Sequence, residues 1–211
     1  IKHYGFLSFK RGYKMSHYFT NENLKSNIKK VLVKVSNNTF TFNTDNGVFS
    51  KKGMDFGTRT LIEVLLNENL YGDVLDVGCG YGVIGIILSS FFNNRINNID
   101  MIDVNLRAVH LTKMNIKENN VNNCNAFVSN IYESINKKYD FIITNPPIRA
   151  GKEVVYKILK EAKEHLKENG CLYYVINKDQ GALSSIKEME KIAKVEILEK
   201  NKGFYIIKCV F

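Results

Sequence analysis

From about residue 70 onward, apolar runs of strand length alternate with stretches whose apolar positions recur at helical spacing. "GDVLDVG" reads as a strand and "GVIGIILSSFF" as the helix after it. "INNIDMIDV" is a second strand. It is followed by "NLRAVHLTKMNIKEN", where Leu106, Val109, Met114 and nearby Ile116 define a helical face. "NAFVSN" and "YDFIITN" read as further strands, and "KEVVYKILKEAKEHLKENG" predicts an amphipathic helix closed by Gly170. Then come "CLYYVIN", a helix "ALSSIKEMEKI", and two runs, "KVEILEK" and "FYIIKCVF". The "NKG" between those last two suits an antiparallel hairpin. Upstream, "KVLVKVSNNTFTFNT" alternates as a small hairpin with "SNN" as its turn.

This alternation predicts an α/β fold: a doubly wound, Rossmann-like, mostly parallel seven-stranded sheet with helices on both faces. The last hairpin adds an antiparallel strand to it. The chain divides into residues 1–55, an extension bearing the small hairpin, and residues 56–211, the main domain. The hairpin carries Lys29, Lys30 and Lys34 and reads as a lid or docking arm.

Charge sharpens that division. Residues 1–55 hold ten Lys or Arg against three Asp or Glu, so +7 of the net +9 lies there. A basic segment leading a near-neutral domain suits either a polyanionic partner such as nucleic acid or a solvated lysine-rich surface. With 45% apolar and 24% charged residues the composition is that of a globular protein, and no apolar run reaches membrane-spanning length. The expected location is cytoplasmic. Met15 is a candidate first residue, with the preceding segment a leader. Cys79, Cys124, Cys171 and Cys209 lie far apart without a C-x-x-C pair, which argues against a metal site or a disulfide framework. His110 and His165 fall in predicted helices and read as surface or boundary positions.

Two short motifs carry chemistry. The chain's two prolines stand together in "FIITNPPIRAGK", at the end of a predicted strand, where average composition would scatter roughly ten. Open α/β sheets bind ligands at such strand ends. Proline has no N–H, so Asn145-Pro146-Pro147 presents acceptors without competing main-chain donors. The Asn145 side-chain oxygen and the Pro146 carbonyl can converge on a planar –NH2. The alternative is a rigid loop after a strand.

The second motif, "LDVGCGYGVIG", follows the first main-domain strand and fits two frames. Gly78, Gly80 and Gly82 give D-x-G-x-G-x-G, a pattern associated with S-adenosylmethionine; Gly80, Gly82 and Gly85 give G-x-G-x-x-G, the dinucleotide fingerprint. Asp103 ends the next strand, where a carboxylate accepts from ribose hydroxyls in either frame. Asp76 favours the first frame, because its charge opposes a pyrophosphate and suits an ammonium and a sulfonium.

With "NTDNGVFSKKGMDFGTRTLIE", "LDVGCGYGVIGI" and "NPPIRAGK" together, the chain from "SHYFTNEN" onward resembles the small-domain S-adenosylmethionine-dependent N-methyltransferases, and within them the ribosomal small-subunit guanine-N2 methyltransferases. The resemblance makes residues 56–211 a methyltransferase domain. It implies that Asp76, Gly78, Cys79 and Gly80 line the methionine end of the cofactor, with Asp103 on its ribose and Val104 against adenine. Ser129 and Asn130 would lie beside adenine, and Phe56, Gly57 and Thr58 of "DFGTR" would pack over the cofactor, with Asn145 touching it. Asn145, Pro146, Pro147 and Ile148 become the catalytic loop, and Arg149 and Lys152 candidates for a substrate phosphate. Ile148 stands where many such enzymes carry Tyr or Phe. The implied partner is ribosomal RNA or the small subunit, the implied state a monomer, and no metal is implied. A glutamine-N5 methyltransferase acting on release factors, a nicotinamide oxidoreductase, and a non-catalytic cofactor- or RNA-binding module are the alternatives.

Overall fold

The computed structural model describes residues 25–211. The candidate start at Met15, the segment before it, and the beginning of the resemblance lie outside them. Strands β1 (Lys29–Val35) and β2 (Asn38–Thr44) form an antiparallel hairpin. Its turn is Ser36-Asn37, one residue shorter than the sequence suggests, with Ser36 at φ 49°. Alternation works as the pattern requires: Val33 and Val35 face inward, while Leu32 and Lys34 face solvent.

The main sheet is built from β3 (Gly72–Val77), β4 (Ile96–Asp103), β5 (Cys124–Val128), β6 (Tyr139–Thr144), β7 (Leu166–Asn177), β8 (Lys194–Asn201) and β9 (Phe204–Val210). Their spatial order is β5-β4-β3-β6-β7-β9-β8; the pairings from β5 to β7 are parallel, and β9 runs antiparallel to both its neighbours. Helices α1 (Phe56–Leu65), α2 (Val83–Phe91) and α3 (Leu106–Glu118) cover one face, and α4 (Lys152–Glu161) and α5 (Ala182–Met189) the other. Successive strand residues divide between the two cores, Tyr173 and Val175 to one and Leu172, Tyr174 and Ile176 to the other. The strand order reverses between β3 and β6, which opens the crevice that α/β sheets use for ligands at those strands' carboxyl ends.

The hairpin is part of this packing. Phe40 and Phe42 join the core shared by α1, α2 and α3, and the fully buried Phe42 ring meets Tyr81 edge-on at 5.8 Å. Burial of such a ring stabilises by roughly 2–3 kcal/mol. Two asparagines, one within α3 and one capping its C-terminus, hold the backbone of β2. Asn119 accepts from Thr41 N at 3.0 Å and donates to Thr41 O at 2.8 Å. Asn115, fully buried, accepts from Asn43 N at 2.6 Å and donates to Asn43 O at 3.0 Å and Tyr81 O at 2.8 Å. One helical turn apart, these amides satisfy strand groups that would otherwise be buried without partners.

Two expectations are corrected. The helix after the proline motif ends at Glu161, passes through a 3-10 turn over Ala162–His165, and gives way to β7 at Leu166. Gly170 is therefore not a helix stop. A side chain there would come within 3.0 Å of the Asp140 and Lys167 carbonyls, so glycine permits the irregular approach of β7 to β6. Leu106, placed on the buried face of α3, is 72% exposed, because it is the first helical residue and projects beyond the sheet; Ala108, Val109, Leu111, Thr112 and Asn115 form the buried face.

Candidate active site

The glycine loop leaves β3 and is fastened to β4 by its own backbone. Gly78 N and Cys79 N both donate to Ile102 O, at 2.8 and 2.9 Å; Gly80 N donates to Asp103 Oδ2 at 3.0 Å; Gly82 N closes a turn onto Cys79 O at 2.9 Å. Four of the amides a phosphate would need are engaged. Gly80 sits at φ 58° and Gly82, the N-cap of α2, at φ 90°, conformations that side chains resist. Gly85 serves packing instead, since a Cβ there would overlap the Met101 side chain. Its N–H donates to Asp76 Oδ2 at 3.2 Å, so the start of α2 already holds an anion, the Asp76 carboxylate. The dinucleotide frame loses on both counts.

Asp76 is 1% exposed, and no polar atom among the described residues reaches its Oδ1. Burial pushes its pKa up to about 7; the Gly85 N–H pulls the other way and the nearby Asp103 charge adds to the rise. Asp103 also lies above the usual carboxylate range through burial, opposed by the Asn105, Gly80 and Val104 amides that it accepts from. A buried and a half-buried carboxyl therefore flank a loop with open space around Gly80, where a Cβ would touch nothing within 4 Å. A cationic group relieves this arrangement.

The proline motif follows β6, next to β3. A Cβ on Gly78 would lie 4.0 Å from Pro147 Cδ, which makes the two loops neighbours. Ala150 N donates to Pro147 O at 2.9 Å, starting the short 3-10 turn Ile148–Ala150, whereas no N–H of the described residues reaches Pro146 O. Asn145 Nδ2 donates to Thr58 Oγ1 at 2.9 Å and lies 3.5 Å from Asp55 Oδ1. Asp55 is the N-cap of α1, and the same oxygen accepts from Thr58 N at 3.0 Å. Residues 46 and 47 are tied to the start of α3: Asn105 Nδ2 donates to Gly47 O at 3.2 Å and Arg107 Nη1 to Asn46 O at 2.6 Å.

A model of the methyltransferase small domain matches residues 39–208. The chain belongs to the methyltransferase small domain family. It is 45% identical over 91% of its length to the Bacillus subtilis protein named Uncharacterized protein YbxB, covering 96% of that protein. It is 35% identical over 71% of its length to ribosomal RNA small subunit methyltransferase C of Aliivibrio fischeri, and spans only 44% of that enzyme. Among solved structures, the T. thermophilus 16S rRNA N2 G1207 methyltransferase in complex with AdoMet and guanosine superposes with a TM-score of 0.77 at 22% identity, over 87% of this chain and 50% of the other. That likeness shows the fold.

Methyltransferases of this family take their methyl group from S-adenosylmethionine, and the residues present fit it. The partnerless buried oxygen of Asp76 and the open loop around Gly80 suit a ligand with positive charge. Other residues singled out in this methyltransferase domain are less directly placed. Cys79 is buried, its thiol 3.8 Å from Thr112 Oγ1, and burial above all holds it well above the ordinary thiol range. Val104 is half-buried just past β4. Ser129 is buried with its hydroxyl on Ile131 O at 2.8 Å, and the exposed Asn130 donates to Glu133 at 2.7 Å. Phe56 packs on Phe204, ring centroids 5.7 Å apart, and Gly57 lies beneath the same ring. Ile148 and Lys152 line a cavity of about 140 Å³ with Tyr156, Gln180 and Ser184, while Arg149 is exposed nearby. The sequence reading missed Asp55, Asn105 and α1; the signal for the first was an Asp three residues before a Thr at a helix start.

Proposed function

We propose that the chain transfers a methyl group from S-adenosylmethionine to the exocyclic N2 amine of a guanine in small-subunit ribosomal RNA. The observation that carries this reading is the orientation of Asn145. Its –NH2 is held by Thr58 and Asp55, which leaves Oδ1 free to accept, and the carbonyl of the adjoining Pro146 receives no N–H from the described residues. Two acceptors suit the two hydrogens of a planar aromatic amine.

When bound, S-adenosylmethionine supplies an electrophilic methyl group. Asp76, Gly78, Cys79 and Gly80 would hold its methionine end, Asp103 its ribose, and Val104 with Ser129 and Asn130 its adenine side. An aromatic amine is a weak nucleophile because its lone pair is delocalised. Holding both hydrogens out of the ring plane localises that pair. An amine nitrogen that gains positive charge during methyl transfer would strengthen both hydrogen bonds, each contributing ~1.5–3 kcal/mol once charged. Alignment accounts for a further ~7–11 kcal/mol. The proton leaves to water after transfer, so no general base is needed. Lys29 and Lys34 on the outer face of the hairpin, with Lys51, Lys52, Arg149 and Lys152, supply the charge for an RNA backbone, whereas Lys30 is paired with Glu118 at 2.7 Å.

The test is methyl transfer from radiolabelled S-adenosylmethionine to small ribosomal subunits from cells lacking the gene, with free rRNA and release factor in parallel. N2-methylguanine in small-subunit RNA, abolished by Asn145→Ala, is the expected result. Label in release factor alone overturns the substrate and keeps the clamp.

A further inference from the structure

An asparagine amide has a donating end and an accepting end, and only the accepting end serves an amine. A half-turn about the terminal torsion exchanges them at little intrinsic cost, so something else must fix the choice. Here the Nδ2 side faces Thr58 Oγ1 at 2.9 Å and Asp55 Oδ1 at 3.5 Å. A carboxylate can only accept. The exchanged amide would set oxygen against oxygen at Asp55, and its –NH2 would point towards the amine to be methylated.

The supports of this arrangement are themselves held. Asp55 Oδ1 accepts from Thr58 N at 3.0 Å as the cap of α1, so one oxygen fixes both the helix start and the Asn145 amide. Thr58 is 7% exposed. At Gly57 a Cβ would lie 2.7 Å from Phe204 Cε1 and 3.2 Å from Asp55 Oδ1, so the Phe204 ring seats the first turn of α1 against β9.

We infer that Asp55 and Thr58 are positioning residues for methyl transfer: they lock the Asn145 amide with its oxygen towards the acceptor amine, and the Asp55 charge polarises that oxygen. Thr58 then acts through Asn145 and not as a wall of the cofactor pocket. As the amine nitrogen gains positive charge, an amide backed by a carboxylate stabilises it better than an isolated one. The inference rests on the amine-methyltransferase reading.

The experiment compares Thr58→Val, Thr58→Ser and Asp55→Asn in the full chain. Thr58→Val, which keeps shape and loses the acceptor, is expected to lower kcat about 10- to 100-fold with KM for the RNA and S-adenosylmethionine affinity within about twofold. Thr58→Ser restores most of that loss. Asp55→Asn keeps a capping residue and lowers kcat about tenfold. A second readout needs no substrate: the Asn145 side-chain –NH2 resonances, identified by their loss in Asn145→Ala, lose exchange protection in Thr58→Val. Unchanged kcat in Thr58→Val, or a loss confined to cofactor affinity, overturns the inference. If the wild type methylates no RNA, the guanine reading fails by itself. The amide exchange then tests the contact itself: protection that persists in Thr58→Val overturns the positioning role, and protection lost upholds it only together with a lowered kcat on the substrate that does take label.

Discussion

Cofactor affinity is expected to depend on pH through Asp76. The carboxyl is 1% exposed with one oxygen lacking a partner, and burial raises its pKa from 3.8 to about 7. If the ionised form is the one that pairs with the cofactor's positive end, affinity follows the ionised fraction. That fraction is about 0.03 at pH 5.5 and about one half at pH 7.0, so the association constant rises roughly fifteenfold across this window. The window stays below the titration of the cofactor's own amino group, near ~8. Folding stability moves oppositely. Asp76 binds its proton more tightly folded than unfolded, so its contribution is fully present below pH ~4 and is lost by about pH 7, roughly 4 kcal/mol in all. Asp76→Asn should therefore give a protein more stable than wild type near pH 7.5, with weaker and pH-independent cofactor binding. Isothermal titration calorimetry from pH 5.5 to 7.0 measures the affinity, and urea unfolding without cofactor measures the stability. A flat affinity profile in wild type refutes the reasoning; a slope that survives in Asp76→Asn assigns the effect to Asp103 instead.

Asn145→Ala should lower kcat about 10²–10³-fold while leaving cofactor affinity within about twofold, as stopped-time methylation assays and calorimetry would show. Gly57→Ala forces a methyl group against the Phe204 ring and the Asp55 carboxylate; it should cost about 1–3 kcal/mol and slow turnover, and Phe204→Leu should restore part of both. Asn115→Leu removes the bonds to Asn43 and Tyr81 and leaves buried main-chain groups unpaired, for a loss of roughly 3 kcal/mol in urea unfolding and faster hydrogen exchange at Asn43 N. Reversing Lys29 and Lys34 to Glu should weaken RNA binding and lower the steepness of its salt dependence by about two to four charges, with cofactor binding unchanged.

Sheet, hairpins and both loops were legible because each rests on a local signal: period-two alternation, glycines at positive φ, and a proline pair after a buried strand. What escaped depends on contacts across long stretches of chain. Asn145 meets Thr58 over 87 positions, and Asn115 meets Asn43 over 72, so no spacing rule connects them. Asn115 falls in the helix the sequence predicts and Asn119 caps its end, yet nothing in the helical period shows that both hold a strand. The end of α4 was overrun because Leu166 continues the helical period while serving as the first residue of β7, and period alone cannot separate the two. The choice of glycine frame, argued from Asp76 in the sequence, rests in the structure on a stronger fact: the loop's amides are already engaged.

Strand β9 is synthesised after β8 but lies between β7 and β8. The glycine loop at β3 and β4, and the proline loop after β6, come from chain made earlier. The ring that seats Gly57 and Asp55 arrives only with Phe204, at the start of β9. On the proposed reading, the support for the Asn145 amide is therefore completed by chain made later than the crevice itself. The strand whose insertion completes the sheet is thus the one that carries the ring seating Gly57.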